Sequence, residues 1–444
     1  MSWAIVSRLP VGVLPMSEVV AQGREEARES ARPGQAGIVA LYREVVSRIQ
    51  VCGLVLLTFA SFFPSLFHYE EYVFFVLFTV AVGASWLDGR TVWVRTPLDL
   101  PFFLLVAWIL VTIPFATDLA YSFSEWRKLV TQMLVFYWAL LVVRRYSDGA
   151  TRRQILAAVV IGTVTLSLYA LVDFVQRGGS LMDRQVRAWA PSSDSNWLTT
   201  YLVIGIPLVV SAGLAIRTNW RRLAFFGAVL APALLTQVFS YMRAGWLALV
   251  FQVIAFAVFT GRRRLILWVL GCCLAGVLSL LALSQVGYQK DMLHPVSLNI
   301  RLGVWKLALE EVTNHPLVGI GFGNDTFVKR FKDLVETDPN PMLHISKYGS
   351  HNTFVMLAMG SGIPALIFMI WVFGSAVRTL LHGAGQVPDE LSYALLIGIA
   401  VMIVGFATRN CFDYMFAGSL AYLFWILVAT GLNESMKKSE SLAA

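Results

Sequence analysis

Leu223 to Arg264 reads LAFFGAVLAPALLTQVFSYMRAGWLALVFQVIAFAVFTGRRR. Two apolar stretches, at 222–240 and 243–260, meet at a short turn whose one basic residue is Arg243. Three arginines, Arg262 to Arg264, follow the second. A helix needs about 20 apolar residues to cross the hydrocarbon core. The segment therefore reads as a pair of membrane spans that leaves a basic surface and returns to it.

The same pattern continues on both sides. Apolar runs at 45–63, 72–87, 98–115, 128–143, 153–175, 197–216, 264–284, 351–377, 391–408 and 414–432 bring the total to about twelve transmembrane helices. Of the 444 residues, 57% are hydrophobic and 14% charged, against roughly 25% charged in soluble domains. The short alternating segments of a membrane β-barrel do not appear. The expected fold class is an all-α integral membrane protein.

Loop charges orient the spans. Lys and Arg concentrate on the cytoplasmic side of short loops. With the N-terminus inside, 21 of the 35 basic residues fall on the inner side, among them Arg144, Arg145, Arg152, Arg153, Arg217 and Arg262 to Arg264. Half of the other 14 lie in one long loop, which the rule largely ignores. Both termini are thus expected in the cytoplasm. No cleavable signal peptide is evident. Residues 1–44, with REEARESARPG at Arg24 to Gly34, read as a disordered cytoplasmic extension, with Met16 an alternative start. The remaining segments are 45–284 with nine spans, an outward helical loop at 285–350, three spans at 351–432, and a cytoplasmic tail at 433–444. The net charge of +8 sits in inter-helix loops and does not indicate nucleic-acid binding. The four cysteines, Cys52, Cys272, Cys273 and Cys411, have no paired spacing, so neither a disulfide framework nor a zinc site is expected.

The loop at 285–350 is the one sizeable soluble piece. Ser297 to Asn314 has helical periodicity that puts Leu298, Leu302, Trp305 and Leu309 on one face, and ends before His315-Pro316. A second short helix is expected at Asn324 to Glu336. The GIGFG run at Gly319 to Gly323 has no preceding strand and reads as a tight turn rather than a phosphate cradle. DPNPM at Asp338 to Met342 reads as another turn.

Several basic residues occupy outward helix ends, where few are expected: Arg127, Lys128, Arg184, Arg187, Arg243, Arg301 and Arg409. An arginine near lipid is costly without an anion, and its fork suits phosphate oxygens. Converging arginines at one surface point to a diphosphate or polyphosphate ligand; isolated ones are ordinarily headgroup contacts or snorkelling side chains. His351 and Asn352 open span ten at the same surface. A histidine there can take a proton near neutral pH, or simply cap the helix. His315 and His344, in the loop, are alternative bases, whereas His68 and His294 have no companions. The outward carboxylates Asp118, Glu125, Asp194 and Asp413 stand singly, which favours chemistry without a metal. Nothing resembles a Walker loop.

Three stretches resemble the O-antigen ligase family, which also includes O-antigen polymerases and protein O-oligosaccharyltransferases. SYMRAGWLAL at Ser240 to Leu249 is similar to its Ser-Arg-Gly/Ala-Trp-Leu-Ala pattern, with Met242 a departure before the arginine. NIRLGVWKLALEEVTNHPLVGIGFGN at Asn299 to Asn324 is similar to its Arg-x-x-x-Trp…His-Pro-Leu-x-Gly-x-Gly pattern. SHNTFVMLAMGSGIPAL at Ser350 to Leu366 is similar to its His-Asn-x-Phe/Tyr…Gly pattern. The resemblance covers most of 45–432, with specific motifs only in 240–366.

It implies a GT-C-type glycosyltransferase fold, and inverting transfer without metal or cofactor from an undecaprenyl-diphosphate-linked glycan. In a ligase the acceptor would be a sugar hydroxyl of lipid A–core, on the periplasmic face of the bacterial inner membrane. The family's essential arginines map to Arg243 and Arg301 and its catalytic histidine to His351. Arg184 and Arg187 join the diphosphate-binding set on charge and position. A polymerase or a protein O-oligosaccharyltransferase would use the same donor chemistry. A secondary anion transporter is the alternative of another class, and there polar groups and broken helices gather near the bilayer midplane rather than at one surface.

Overall fold

A computed structural model describes residues 33–180, 186–191, 194–268, 271, 275, 278, 296–332 and 349–443. Outside these residues lie most of the expected N-terminal extension with Met16, most of the ninth span with Cys272 and Cys273, and His294, His344, Arg184 and the DPNPM turn. The chain divides into two compact units, Met1–Ile49 and Gln50–Ala444. In the first, Arg48 pairs with Glu44 at 2.7 Å. The core and the site belong to the second.

Every regular element among the described residues is helical. In chain order these are α1 (Pro33–Ala60), α2 (Phe67–Leu87), α3 (Asp99–Thr112), α4 (Leu119–Arg145), α5 (Thr151–Gln176), α6 (Ser195–Leu214), α7 (Asn219–Phe239), α8 (Arg243–Phe259), α9 (Val296–Asn314), α10 (Thr326–Arg330), α11 (Thr353–Ala384), α12 (Glu390–Asn410) and α13 (Gly418–Ala443). Among the described residues, seven helices are long and apolar enough to cross a membrane: α2, α4, α5, α6, α7, α11 and α12. They coincide with expected spans. Two more, Asp99–Phe115 and α8, are apolar but shorter. The expected spans at 45–63 and 414–432 overlap α1 and α13 over most of their length.

Helices that are apolar all round belong at the centre of a bundle, and α6 fits that rule, with 78% of its apolar window buried against 17% for α7. α12 packs against α6, α8 and α11, while α13 runs along α4 and α11. Aromatic rings fill the middle: Phe406 stacks on Phe424 at 4.6 Å and Phe102 on Trp425 at 4.7 Å. Lipid tails are as apolar as leucine, so hydrogen bonds and close packing must hold such helices together. Gln50 takes Trp138 Nε1 at 2.8 Å and gives to Leu77 O at 2.9 Å. Gln252 donates to Val203 O at 2.7 Å.

The two ends of the bundle differ in their pairing. At the end read as cytoplasmic, Arg152 pairs with Glu434 at 2.6 Å and Asp389 at 3.2 Å. There Arg145 also reaches Ser85 Oγ and Thr91 O, both at 2.6 Å. At the other end the starts of α4, α6, α8, α9, α11 and α13 gather, together with the turn before α10.

Two sequence expectations change here. Arg127 and Lys128 do not precede span four. α4 starts at Leu119, capped by Asp118 accepting from Tyr121 N at 2.9 Å, so both lie inside the helix. The loop helix does form, as α9, but it buries a different face. Ile300, Val304, Ala308 and Val312 are buried, while Leu302 and Leu309 are half exposed. The helix carries two apolar stripes, and the one with smaller residues fits closely against Ala358 and Met359 of α11.

α11 is broken at Ser361 and Gly362. Pro364 has no N–H for Gly360 O, and that carbonyl accepts from Gly321 N at 2.9 Å instead. Ile320 N takes Met359 O at 2.9 Å, Ile363 N turns to Pro316 O at 2.8 Å, and Trp108 Nε1 reaches Ser361 O at 2.9 Å. The GIGFG turn is therefore a plug: the Ile320 and Gly321 amides complete a broken helix and that of Gly319 bonds to His315 O at 3.1 Å, so these three do not cradle a phosphate. Broken helices also occur in secondary transporters, but these freed groups are spent on the chain's own backbone and on the Trp108 side chain. Gly362 sits at φ +79, where a Cβ would lie 1.9 Å from Leu317 O. Gly362→Ala is expected to cost at least ~1–3 kcal/mol from the backbone conformation alone, seen as a lower melting midpoint in detergent; an unchanged midpoint would show that the plug can shift.

Candidate functional site

His351 stands just before α11. The cap of that helix is Asn352, whose side chain accepts from Phe354 N at 2.9 Å and Val355 N at 3.1 Å. His351 is thereby released from capping. It adopts φ +50, and with Tyr241 (φ +52) it is one of two non-glycine residues with positive φ among the described residues. Both lie in motif segments, where such conformations persist only if the surroundings enforce them. For His351 the enforcement is visible. Trp305 Nε1 of α9 donates to Ser350 O at 3.0 Å, and Ser350 Oγ donates to Asn352 O at 3.1 Å. Trp305 is one helical turn beyond Arg301, so the Arg-x-x-x-Trp spacing puts both residues on one side of α9.

The imidazole Nδ1 lies 3.1 Å from Asp413 Oδ1. With Nδ1–H donating to the carboxylate, Nε2 is left with the lone pair. Asp413, which the sequence presents as a solitary carboxylate, is in fact the hub of the site. Arg409, one turn earlier, holds its Oδ2 at 3.1 Å and also reaches Asn196 Oδ1 at 2.9 Å. Arg409 is fully buried rather than at the surface. Thr353 Oγ1 donates to Asn410 Oδ1 at 2.7 Å and Asp413 O at 3.1 Å, tying α11 to the connection between α12 and α13. Burial by itself would raise the Asp413 carboxyl. The hydrogen bond from His351 and the nearby charges of Arg409, His351 and Arg301 outweigh it and hold the group below the usual carboxylate range.

The cations cluster beside this pair. Burial pushes the Arg301 guanidinium below its ordinary value; Arg243 acts in the same direction and Asp413 against it. Arg301 therefore lies within electrostatic reach of both Arg243 and Asp413. Arg243 is exposed and is the first residue of α8, where a cation opposes the helix dipole. Its position follows from the fold of SYMRAGW. Trp246 Nε1 bonds back to Gln237 O at 2.9 Å, and Gly245 has Gln237 Nε2 only 2.2 Å from where a Cβ would stand. Arg187 is exposed, 3.8 Å from Met242 Sδ, and its neighbour Ala188 N bonds to Phe239 O at 3.0 Å. This segment is anchored by Trp189, which donates to Asp173 at 2.9 Å and lies 4.2 Å beneath the Arg177 guanidinium. The like charges of Arg243 and Arg301, with Arg187 against Met242 next to Arg243, give a positive potential that favours an anion.

Other candidates sit elsewhere. His315 ends α9, fourteen residues from Arg301 and thus ~21 Å along the helix at 1.5 Å per residue, beside Glu311 at 3.8 Å. Asp194 caps α6, Asp118 pairs with Lys329 at 2.6 Å, and Glu125 pairs with Lys128 at 2.5 Å. Sequence reasoning missed the contacts of Asp413, Asn196 and Trp305; it put Arg409 at a helix end, where it lies, but gave no sign of its burial. The Arg409–Asp413 spacing of four residues was the available signal.

Residues 228–370 match the family model described as O-antigen ligase. No curated protein matches the chain. The matched range contains Arg243, Arg301 and His351 and ends before Arg409 and Asp413.

Proposed function

We propose, from the premise that this chain carries a domain of the O-antigen ligase family, that it is an inverting, metal-independent glycosyltransferase with a GT-C-type fold. In this reading it moves O-antigen polysaccharide from undecaprenyl diphosphate to a sugar hydroxyl of lipid A–core. The reaction takes place at the periplasmic face of the bacterial inner membrane. About twelve spans leave both termini in the cytoplasm, and the helical loop at 285–350 lies in the periplasm. The observation that carries the reading is the His351–Asp413 pair with Arg301 in electrostatic reach of it, and Arg243 in reach of Arg301.

The chemistry follows from those positions. Arg243 and Arg301, joined by Arg187 and, on charge and sequence position, by Arg184, bind the diphosphate and offset the charge that grows as the C1–O bond breaks. The bond's electron pair leaves with the diphosphate. The acceptor oxygen attacks C1 from the opposite face and gives its proton to His351 Nε2. Asp413 holds the ring and balances the imidazolium. The proton then passes to solvent or to the released diphosphate.

Arg243→Ala and Arg301→Ala proteins that insert normally are expected to lose ~10²–10³-fold in transfer, the typical value of one charge-stabilising donor. The assay uses purified protein with an undecaprenyl-diphosphate glycan and lipid A–core. Near-native turnover in both variants would sink the assignment. Longer lipid-linked chains instead of capped lipopolysaccharide would make the protein a polymerase.

A further inference from the structure

A cavity of about 570 Å³ opens against the chain segments that carry His351 and Asp413. Its wall includes Thr353, two residues after His351, and Tyr414, the residue after Asp413. The arginines Arg187, Arg243, Arg301 and Arg409 do not line it. Its charge is opposite to theirs. Glu71, Glu125 and Asp325 line it against one lysine, Lys128, which already pairs with Glu125 at 2.5 Å.

The wall is also rich in rings, among them Trp197, Phe416 and Tyr422. Two amide oxygens in it, Gln132 Oε1 and Asn324 Oδ1, are buried and accept no hydrogen bond. Gln132 is 6% exposed, and a buried acceptor without a donor is costly. Carboxylates and bare amide oxygens call for a ligand that donates hydrogen bonds. Flat aromatic faces call for one with apolar faces as well. A neutral sugar bearing several hydroxyls meets both demands, and a diphosphate meets neither.

We infer that this cavity is the acceptor site and binds the terminal neutral sugar of the acceptor glycan, with Gln132 and Asn324 accepting from its hydroxyls. The inference rests on the transferase reading above and extends it. The two substrates are sorted by charge, diphosphate to the arginines and polyol to the acidic, ring-lined cavity, whose wall at Thr353 and Tyr414 adjoins His351 and Asp413 along the chain. The cavity's volume lies within the range that encloses a small ligand.

Binding and turnover separate the two ideas. Binding of lipid A–core to the full-length protein in detergent, without donor, is measured first, and transfer kinetics second. Gln132→Leu removes the bare acceptor, and Ala417→Trp fills the cavity without removing a polar group. Each is expected to weaken lipid A–core binding at least tenfold and raise its KM to match, leaving the KM for the lipid-diphosphate donor within twofold. Melting midpoints near wild type confirm that both variants fold. Unchanged acceptor binding in both, or a rise in the donor KM instead, overturns the inference. Wild-type protein that binds lipid A–core in the cavity but transfers nothing overturns the transferase reading and leaves the cavity assignment standing.

Discussion

His351→Ala is expected to lower transfer by ~10²–10⁴-fold, the range supplied by a positioned general base, while the donor KM stays near wild type. The binding cations are on other elements, and the cap of α11 is Asn352, so the helix start survives the substitution. The loss should therefore appear in kcat. Asp413→Asn is expected to produce a loss of similar order by another route. An amide in place of the carboxylate 3.1 Å from Nδ1 no longer fixes which ring nitrogen carries the proton, nor does it balance the imidazolium. His351→Gln keeps a polar group but cannot accept a proton at neutral pH, so it should fail as fully as alanine. Turnover within threefold of wild type in His351→Ala would remove histidine from the chemistry and leave the arginines as binding groups alone.

How much of this was legible in sequence depends on the kind of interaction. Span periodicity is a local property, and the long helices α2, α4, α5, α6, α7, α11 and α12 fall where apolar runs placed them. The Arg-x-x-x-Trp spacing on α9 is local as well, and it sets Arg301 and Trp305 on one side. What periodicity could not rank was which of two apolar stripes on α9 is buried. Size decided that, because Val304 and Ala308 allow the approach to α11 that Leu302 and Leu309 would prevent. The partner of His351 is 62 residues away, on the connection after α12. No pattern within either segment announces it. Arg409 illustrates the same limit: an arginine at a helix end reads as a surface cation, yet Asp413 and Asn196 draw it inside. The acidic residues of the cavity come from α2, α4 and the turn before α10, so no single segment brings them together, and Glu125 stands singly in the sequence.

Arg409 carries the second large effect. It is fully buried, and its Asp413 partner has a side chain 11% exposed. Removing one member of a buried pair leaves the other as an uncompensated charge, which typically costs ~3–5 kcal/mol. Arg409→Met, which nearly preserves the volume, should therefore lower the melting midpoint sharply and reduce transfer together with it, since Asp413 also holds His351. The double variant Arg409→Met with Asp413→Asn should regain much of the stability but not the activity, because the buried charge is gone while the histidine remains unheld. The pH response follows with a definite sign. In the wild-type protein the Asp413 carboxyl is held below the ordinary carboxylate range, so its contribution to stability is present above that range and is lost as pH falls through the lowered folded-state value. With Arg409 gone, a main cause of the lowering disappears, and the loss on acidification should begin at higher pH. Melting midpoints of both proteins across the acid range test this. A single variant as stable as wild type, with an unshifted acid limb, would mean that Asp413 is held by His351 and Arg301 without help from below.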